Sequence, residues 1–349
     1  MNRNGNDHTA TRRQFLKTSS GLVGGLVLGN SLIGMPNIIK SFNKPNSLIN
    51  GVQIGTITYS FRELPDQSAE ATLKYVLDCG ISAIELMGDP AETFAGCPGN
   101  PVPMSSMAKF WRKRRDGEKL TDEEQKEWDD LQAQMKAYNE TVQVWRSQVS
   151  MAKFEQFRKM YNDAGVSIYA FKPNAFGKNN TDAEIDYGLR AAKALGASHV
   201  TLEHPGDDTH TLKLGKMGKK YKIYVAYHGH EQQTPTLWDT ALAQSKYNAM
   251  NLDFGHFVAA GNPDPLKTVM DKHDRIRSMH LKDRQMPEHG KGNLPWGTGD
   301  TPLTAVLQLM RDQKYKFPGT VELEYQVPKG SDPVTEVSKC LEYCIKALA

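Results

Sequence analysis

Acids, imidazoles and lysines recur along this chain at the ends of short apolar runs. In order they are Glu85, Lys172, Glu203-His204, His228-Gly229-His230-Glu231, Asp253 with His256 three residues on, His280-Leu281-Lys282-Asp283, and Glu322 with Glu324. Carboxylates and imidazoles without cysteine are the donor set of a divalent cation such as Mn, Mg, Co or Zn. Burying several unpaired acids would be very costly, and a cation offsets that cost. The chemistry such a site supports is proton abstraction next to a carbonyl, with charge stabilised as it develops on oxygen. Each residue also has a plainer use. Asp253 suits a helix cap, His280 a satisfied core histidine, and Glu85 a partner for a lysine. Only their recurrence argues for a metal.

The elements that would position them are eight β-branched or apolar runs. These are 53–60, 83–87, 167–171, 199–203, 223–227, 250–254, 277–281 and 319–325. Amphipathic segments lie between most of them, and Gly80 and Gly196 follow two of these where a helix would need positive φ. Alternating β and α units argue for a parallel sheet, and eight of them for a closed α/β barrel of the (β/α)8 TIM type. An open doubly wound sheet would want a glycine-rich phosphate loop after its first strand, and none is present. In such a barrel the chemistry sits at the C-terminal mouth, where all the residues above are expected to meet. Strand alternation is expected to turn one of Glu322 and Glu324 away from the interior. One unit is too long. Residues 88–150 read as a Gly/Pro-rich loop, 88–103, followed by charged helices over 107–115 and 121–149. This helical insertion after the second strand is expected over the mouth, as a lid or cleft wall. Its Lys113–Arg115 run reads as a solvated face.

The 349 residues, with 24% charged and 39% hydrophobic, describe an ordinary globular chain and exclude a disordered or coiled-coil protein. The formal charge of +3 belongs to the first 49 residues. Arg3, Arg12, Arg13, Lys17, Lys40 and Lys44 against Asp7 give that segment +5 and leave the remainder at −2. A slightly acidic body without a basic groove disfavours nucleic acid. The pattern Arg12-Arg13-Gln14-Phe15-Leu16-Lys17 before an apolar stretch resembles a twin-arginine signal. Residues 1–49 are therefore expected to be a leader and linker read by the twin-arginine (Tat) export machinery, which would place the protein in the periplasm. Residues 50–349 are expected to form the barrel. Cys79, Cys340 and Cys344 read as buried free thiols, although Cys79 could reach the last helix.

The segments Asn251-Leu-Asp-Phe-Gly-His256, Ser278-Met-His-Leu-Lys-Asp283 and Gly319-Thr-Val-Glu-Leu-Glu-Tyr325 resemble the xylose isomerase-like TIM barrels. These are the sugar phosphate isomerases and epimerases, with endonuclease IV-like relatives. The segment Tyr227-His-Gly-His-Glu231 resembles a motif of exported members. The resemblance implies a Glu–Asp–His–Glu metal set, which falls here on Asp253, His280 and Glu324. The first glutamate is missing from the fifth strand, where Ala226 or Tyr227 stands. Glu203 replaces it as the expected ligand, with His228 as rival. His228 and His256 are the expected proton-transfer groups, and Lys282 and Lys172 would steady an oxyanion. Glu85, His230 and Trp296 are expected to contact a carbohydrate substrate, although Trp296, like Tyr59, equally suits packing. The implied activity is a metal-dependent sugar isomerase or epimerase. A 3-keto-glycoside lyase or hydratase would use the same enediolate, and a non-catalytic sugar-binding barrel is the third reading. Assembly into a homo-oligomer stays open.

Overall fold

The computed structural model describes residues 44–349, so the twin-arginine pattern and most of the expected leader lie outside the described residues. The barrel strands are β1 (Val52–Ile57), β2 (Ala83–Met87), β3 (Ser167–Lys172), β4 (His199–Glu203), β5 (Tyr224–His228), β6 (Asn248–Asp253), β7 (Ile276–Leu281) and β8 (Gly319–Val321). Each pairs in parallel with its neighbours, and β8 pairs with β1, so the sheet closes. The (β/α)8 expectation from the alternating runs holds. The eighth run is shorter than its apolar stretch suggests. Regular pairing stops at Val321, and Glu322–Tyr325 continue beyond it as loop.

The helices are α1 (Ala69–Asp78), α2 (Gly88–Phe94), α3 (Met104–Arg115), α4 (Asp122–Gln148), α5 (Met151–Asp163), α6 (Asp182–Leu195), α7 (Asp208–Tyr221), α8 (Asp239–Gln244), α9 (Phe254–Ala259), α10 (Pro265–Lys272), α11 (Leu303–Asp312) and α12 (Pro333–Leu348). Capping boxes start α4 at Thr121/Glu124 and α6 at Thr181/Glu184. Gly196 closes α6 with φ of 79°, the left-handed residue a helix C-terminus favours. Among the described residues no helix is long and apolar enough to cross a membrane.

Two local readings change. Residues 88–94 are helix α2 and not loop, because Pro90 falls in the first turn, where no backbone N–H is required of it. The ordered body also begins before residue 50. Leu48–Ile49 pair antiparallel with β1 through the Asn50-Gly51 turn, and buried Ser47 donates to the Ile54 carbonyl at 2.6 Å. Asn50 and Gly51 both take positive φ, 45° and 87°, as a tight two-residue hairpin demands.

The insertion builds its own small core from Val102, Met107, Phe110 and Trp128. It is fixed to the barrel by Arg146, whose buried guanidinium donates to Glu92, Glu184 and the Asn174 carbonyl at 3.0–3.1 Å. These contacts place its anchor at the rim beside α2 and the head of α6. In the 113–115 run, Lys113 pairs with Glu124 and Arg114 lies over the Trp128 ring. Cys79, Cys340 and Cys344 are free and buried.

Candidate metal centre and active site

Strand periodicity explains how the site is assembled. Residues two apart on a strand share a face. Thr201 and Glu203, Asn251 and Asp253, and Ser278 and His280 are three such pairs, and Glu322 follows Thr320 just past the end of β8. Hydrogen bonds between strands that are not neighbours show that these faces point into the barrel. Glu85 on β2 accepts from Thr201 of β4 at 2.6 Å and from Asn251 of β6 at 3.2 Å, and meets His280 Nε2 of β7 at 2.9 Å. A polar layer therefore lies one rung beneath the residues at the mouth.

Above it, His228, Asp253, His280 and Glu322 are all buried, and each offers a ligand atom within 4.8 Å of the others. His228 Nε2 lies 3.6 Å from Asp253 Oδ2. His280 Nδ1 lies 2.6 Å from Glu322 Oε2 and 3.9 Å from Asp253 Oδ2. Asp253 divides its work. Oδ1 caps α9 by accepting from His256 N at 2.8 Å, while Oδ2 is buried without a well-directed hydrogen bond. The cap and the ligand readings of Asp253 are thus compatible. Lys282 sits among the acids, with Nζ 2.7 Å from Asp253, 2.6 Å from Glu322 and 2.9 Å from Glu324.

The electrostatics follow from this crowding. Burial raises the carboxyls of Asp253 and Glu322, but Lys282 and the neighbouring imidazoles outweigh it and hold both well below the usual range. Glu85 is likewise brought down to about 2 against its burial, chiefly by His280. Burial opposes a charged His280, yet Glu322 and Glu85 on its two nitrogens push it up to about 10. Burial takes His228 the other way, to about 4, helped by the positive charge of His280 and Lys172. Lys282 is raised despite burial, by Asp253 and the two glutamates.

These residues fit a divalent cation. They supply two carboxylates and two imidazoles in one buried place, and Oδ2 of Asp253 lacks a directed proton. Lys282 is the positive charge that meets three carboxylates there, and it would have to yield some of them to a second cation.

The structure distributes the expected site residues as follows. Asp253 and His280 come together. Glu322 takes the position expected for Glu324. Both glutamates reach Lys282 from the loop that follows β8, where strand alternation no longer applies, which corrects the expectation that alternation would separate them. Glu324 instead reaches Lys282 and lies 3.6 Å from His256 Nε2. Glu203 is half exposed, pairing with Lys172 at 2.9 Å and His230 at 3.3 Å. It belongs to a second group with His228 and His230. His228 is thus the nearer partner of Asp253. Glu85 does not face the cleft, since it is fully buried beneath His280. Trp296 packs edge-on against Tyr343 of α12, with ring centroids 5.7 Å apart, the packing use of that ring. His256 is held by Glu231 at 3.1 Å and contacts Arg284, which pairs with Glu231 at 2.6 Å.

Several residues of the site went unread in the sequence. Asn251, Ser278 and Thr201 sit two positions before Asp253, His280 and Glu203, and that spacing alone marks them as inward-facing. Asp283, read in the sequence among the acids of the mouth, is instead a loop organiser: its buried carboxylate accepts from the amides of Gly297, Thr298, Gly299 and Thr301 at 2.7–3.2 Å. Gly255 has a packing reason, since a Cβ there would meet the Lys282 carbonyl at 2.6 Å.

Solved structures share this architecture. A sugar phosphate isomerase/epimerase from Parabacteroides distasonis is 17% identical, with a TM-score of 0.52 over 84% of this chain and 93% of that one. The 3-keto-D-glucoside 4-epimerase YcjR from E. coli is 11% identical, with a TM-score of 0.54 over 84% and 99%. A xylose isomerase-like TIM barrel protein from Mycobacterium smegmatis, in complex with magnesium, is 16% identical, with a TM-score of 0.50 over 85% and 96%. No curated protein matches the chain. Residues 73–346 match the family model of the xylose isomerase-like TIM barrel, and the chain belongs to that family.

Proposed function

We propose that the chain is a divalent-metal-dependent sugar isomerase or epimerase acting by proton abstraction next to a carbonyl. The observation that carries this reading is the buried His228–Asp253–His280–Glu322 group with Lys282 in its midst. His228, Asp253, His280 and Glu322 would hold the cation. A bound divalent cation polarises a substrate carbonyl and carries part of the charge of an enediolate. The chain's own residues do the rest. Lys282 remains an ammonium and donates to the developing oxyanion. His256, oriented by Glu231 and Arg284, takes or returns a proton at the neighbouring carbon. With its Nε2 turned to Asp253, His228 serves as a ligand and not as the proton carrier. Lys172 and His230, joined through Glu203, line the outer part of the mouth and meet substrate hydroxyls.

Export, the role proposed for residues 1–49, favours a neutral sugar or an oxidised glycoside over a sugar phosphate. The experiment is a panel of aldoses, ketoses and 3-keto-glycosides in D2O with manganese-loaded protein, followed by NMR. A 3-keto-glucoside belongs in it because a protein of similar fold is named for epimerising one. The reading expects deuterium at the carbon beside the carbonyl of at least one member, and loss of that exchange in Lys282→Met. Elimination products would move the assignment to the lyase. Metal binding without exchange in any member would leave the binding barrel and sink the enzyme reading.

A further inference from the structure

We propose that Asn251 is a positioning residue that holds His228 in the Nδ1–H tautomer and so presents Nε2 to the site. Asn251 is fully buried in the layer beneath the mouth. Its amide is gripped on three sides. Oδ1 lies 2.6 Å from His228 Nδ1, while Nδ2 donates to Ser278 Oγ at 2.7 Å and to Glu85 Oε2 at 3.2 Å.

The directions of these bonds leave one solution. Glu85 is ringed by the Thr201 hydroxyl, the His280 ring and Asn251, and a carboxylate accepts from all three. The amide nitrogen of Asn251 must therefore face Glu85. Turning the amide by 180° would set its oxygen against a carboxylate oxygen and leave a buried acceptor unmatched. With the nitrogen so placed, the amide oxygen faces His228, and a carbonyl oxygen only accepts. The proton must then reside on Nδ1 of His228. The second imidazole nitrogen is the one aimed at Asp253 Oδ2, 3.6 Å away. A backbone or side-chain acceptor behind a ligating histidine fixes ring and tautomer in just this manner.

The grip extends further down the barrel. Ser278, opposite Asn251 in the β6–β7 register, is bonded at 2.9 Å to His199 Nε2, whose Nδ1 lies 2.9 Å from Ser198 Oγ. Ser278 thus receives support from below and holds the Asn251 amide from rotating.

The role given to Nε2 rests on the metal-site reading above, but the tautomer does not. It is read on metal-free protein with 15N-labelled histidine rings, from long-range 1H–15N correlations at neutral pH, with His228 assigned by its loss in His228→Gln. The expected spectrum has a protonated Nδ1 and a bare Nε2. Asn251→Ala should bring in the Nε2–H form and weaken Mn2+ binding about 10- to 100-fold. Ser278→Ala, the gentler change, should admit a minor Nε2–H population. A wild-type ring protonated on Nε2 would overturn the proposal, as would a tautomer unmoved by Asn251→Ala. If that variant fails to fold, the wild-type spectrum and Ser278→Ala still decide. A protein with the expected tautomer and no exchange on any sugar would overturn the activity and leave the positioning role standing.

Discussion

Among single residues, the pair His280 and Glu85 sets a pH signature on the metal-free protein. Both are fully buried, so solvent does not screen their interaction. Glu85 is depressed from 4.5 to about 2, so its contribution to stability is complete above about 4.5 and is lost as pH falls toward 2. His280 is raised from 6.5 to about 10, so its contribution is complete below about 6.5 and is lost as pH rises toward 10. His228 and His199, both brought down from 6.5 to about 4 by burial, lose stability as pH falls below about 6.5, so thermal stability of the metal-free chain should peak near pH 6.5 and decline on both sides. A stability maximum at pH 8 or above in scanning calorimetry would contradict the paired arrangement. A cation taken up at Nδ1 of His280 replaces a proton. Adding Mn2+ at pH 7 should then release protons, measurable as a buffer-dependent binding enthalpy.

At the scale of elements, two side chains hold segments that carry no chemistry themselves. Arg146 fixes α4 to the rim through buried Glu92 and Glu184. Arg146→Ala leaves both acids unpaired and should cost about 3 kcal/mol in denaturant unfolding. Asp283 holds the loop 297–301 through four backbone amides. Asp283→Ala should cost a similar amount, about 3 kcal/mol, and loosen the loop that follows Lys282. Loss below about 0.5 kcal/mol in either would show that the segment is held elsewhere. The eight strands were legible because each is a short β-branched run with a helix-stop glycine or polar turn beside it. The short hairpin at Asn50-Gly51 was missed because its turn signal sat on an expected boundary. Helix α2 was missed because a Gly/Pro-rich stretch was read by composition and not by the position of Pro90 in a first turn. Within the site, the chemical types were legible and the depth was not. Nothing in the spacing says that Glu85 lies under His280, since that depends on how far β2 and β7 are staggered around a closed barrel. Glu322 over Glu324 has the same origin, because β8 ends at Val321 and puts Glu322 beside His280.

On the whole-molecule scale, a barrel of slightly acidic charge follows a +5 segment at residues 1–49. We propose that this segment directs export of the folded barrel. Replacing Arg12 and Arg13 by lysine should keep the protein in the cytoplasm, as cell fractionation would show. Undiminished periplasmic recovery would contradict the twin-arginine reading. Export after folding would let the site load its metal inside the cell, which suits a centre of nitrogen and oxygen donors that has no cysteine to select its cation.

The account turns on the four buried residues at the mouth of the barrel. Metal content per chain, measured after Mn2+ loading and dialysis for the wild type, Asp253→Asn, Glu322→Gln and Glu324→Gln, tests it most directly. The account predicts one tightly held ion in the wild type, near-complete loss in Asp253→Asn and Glu322→Gln, and retention in Glu324→Gln. No retained ion in the wild type, or equal retention in Asp253→Asn and Glu322→Gln, would contradict it.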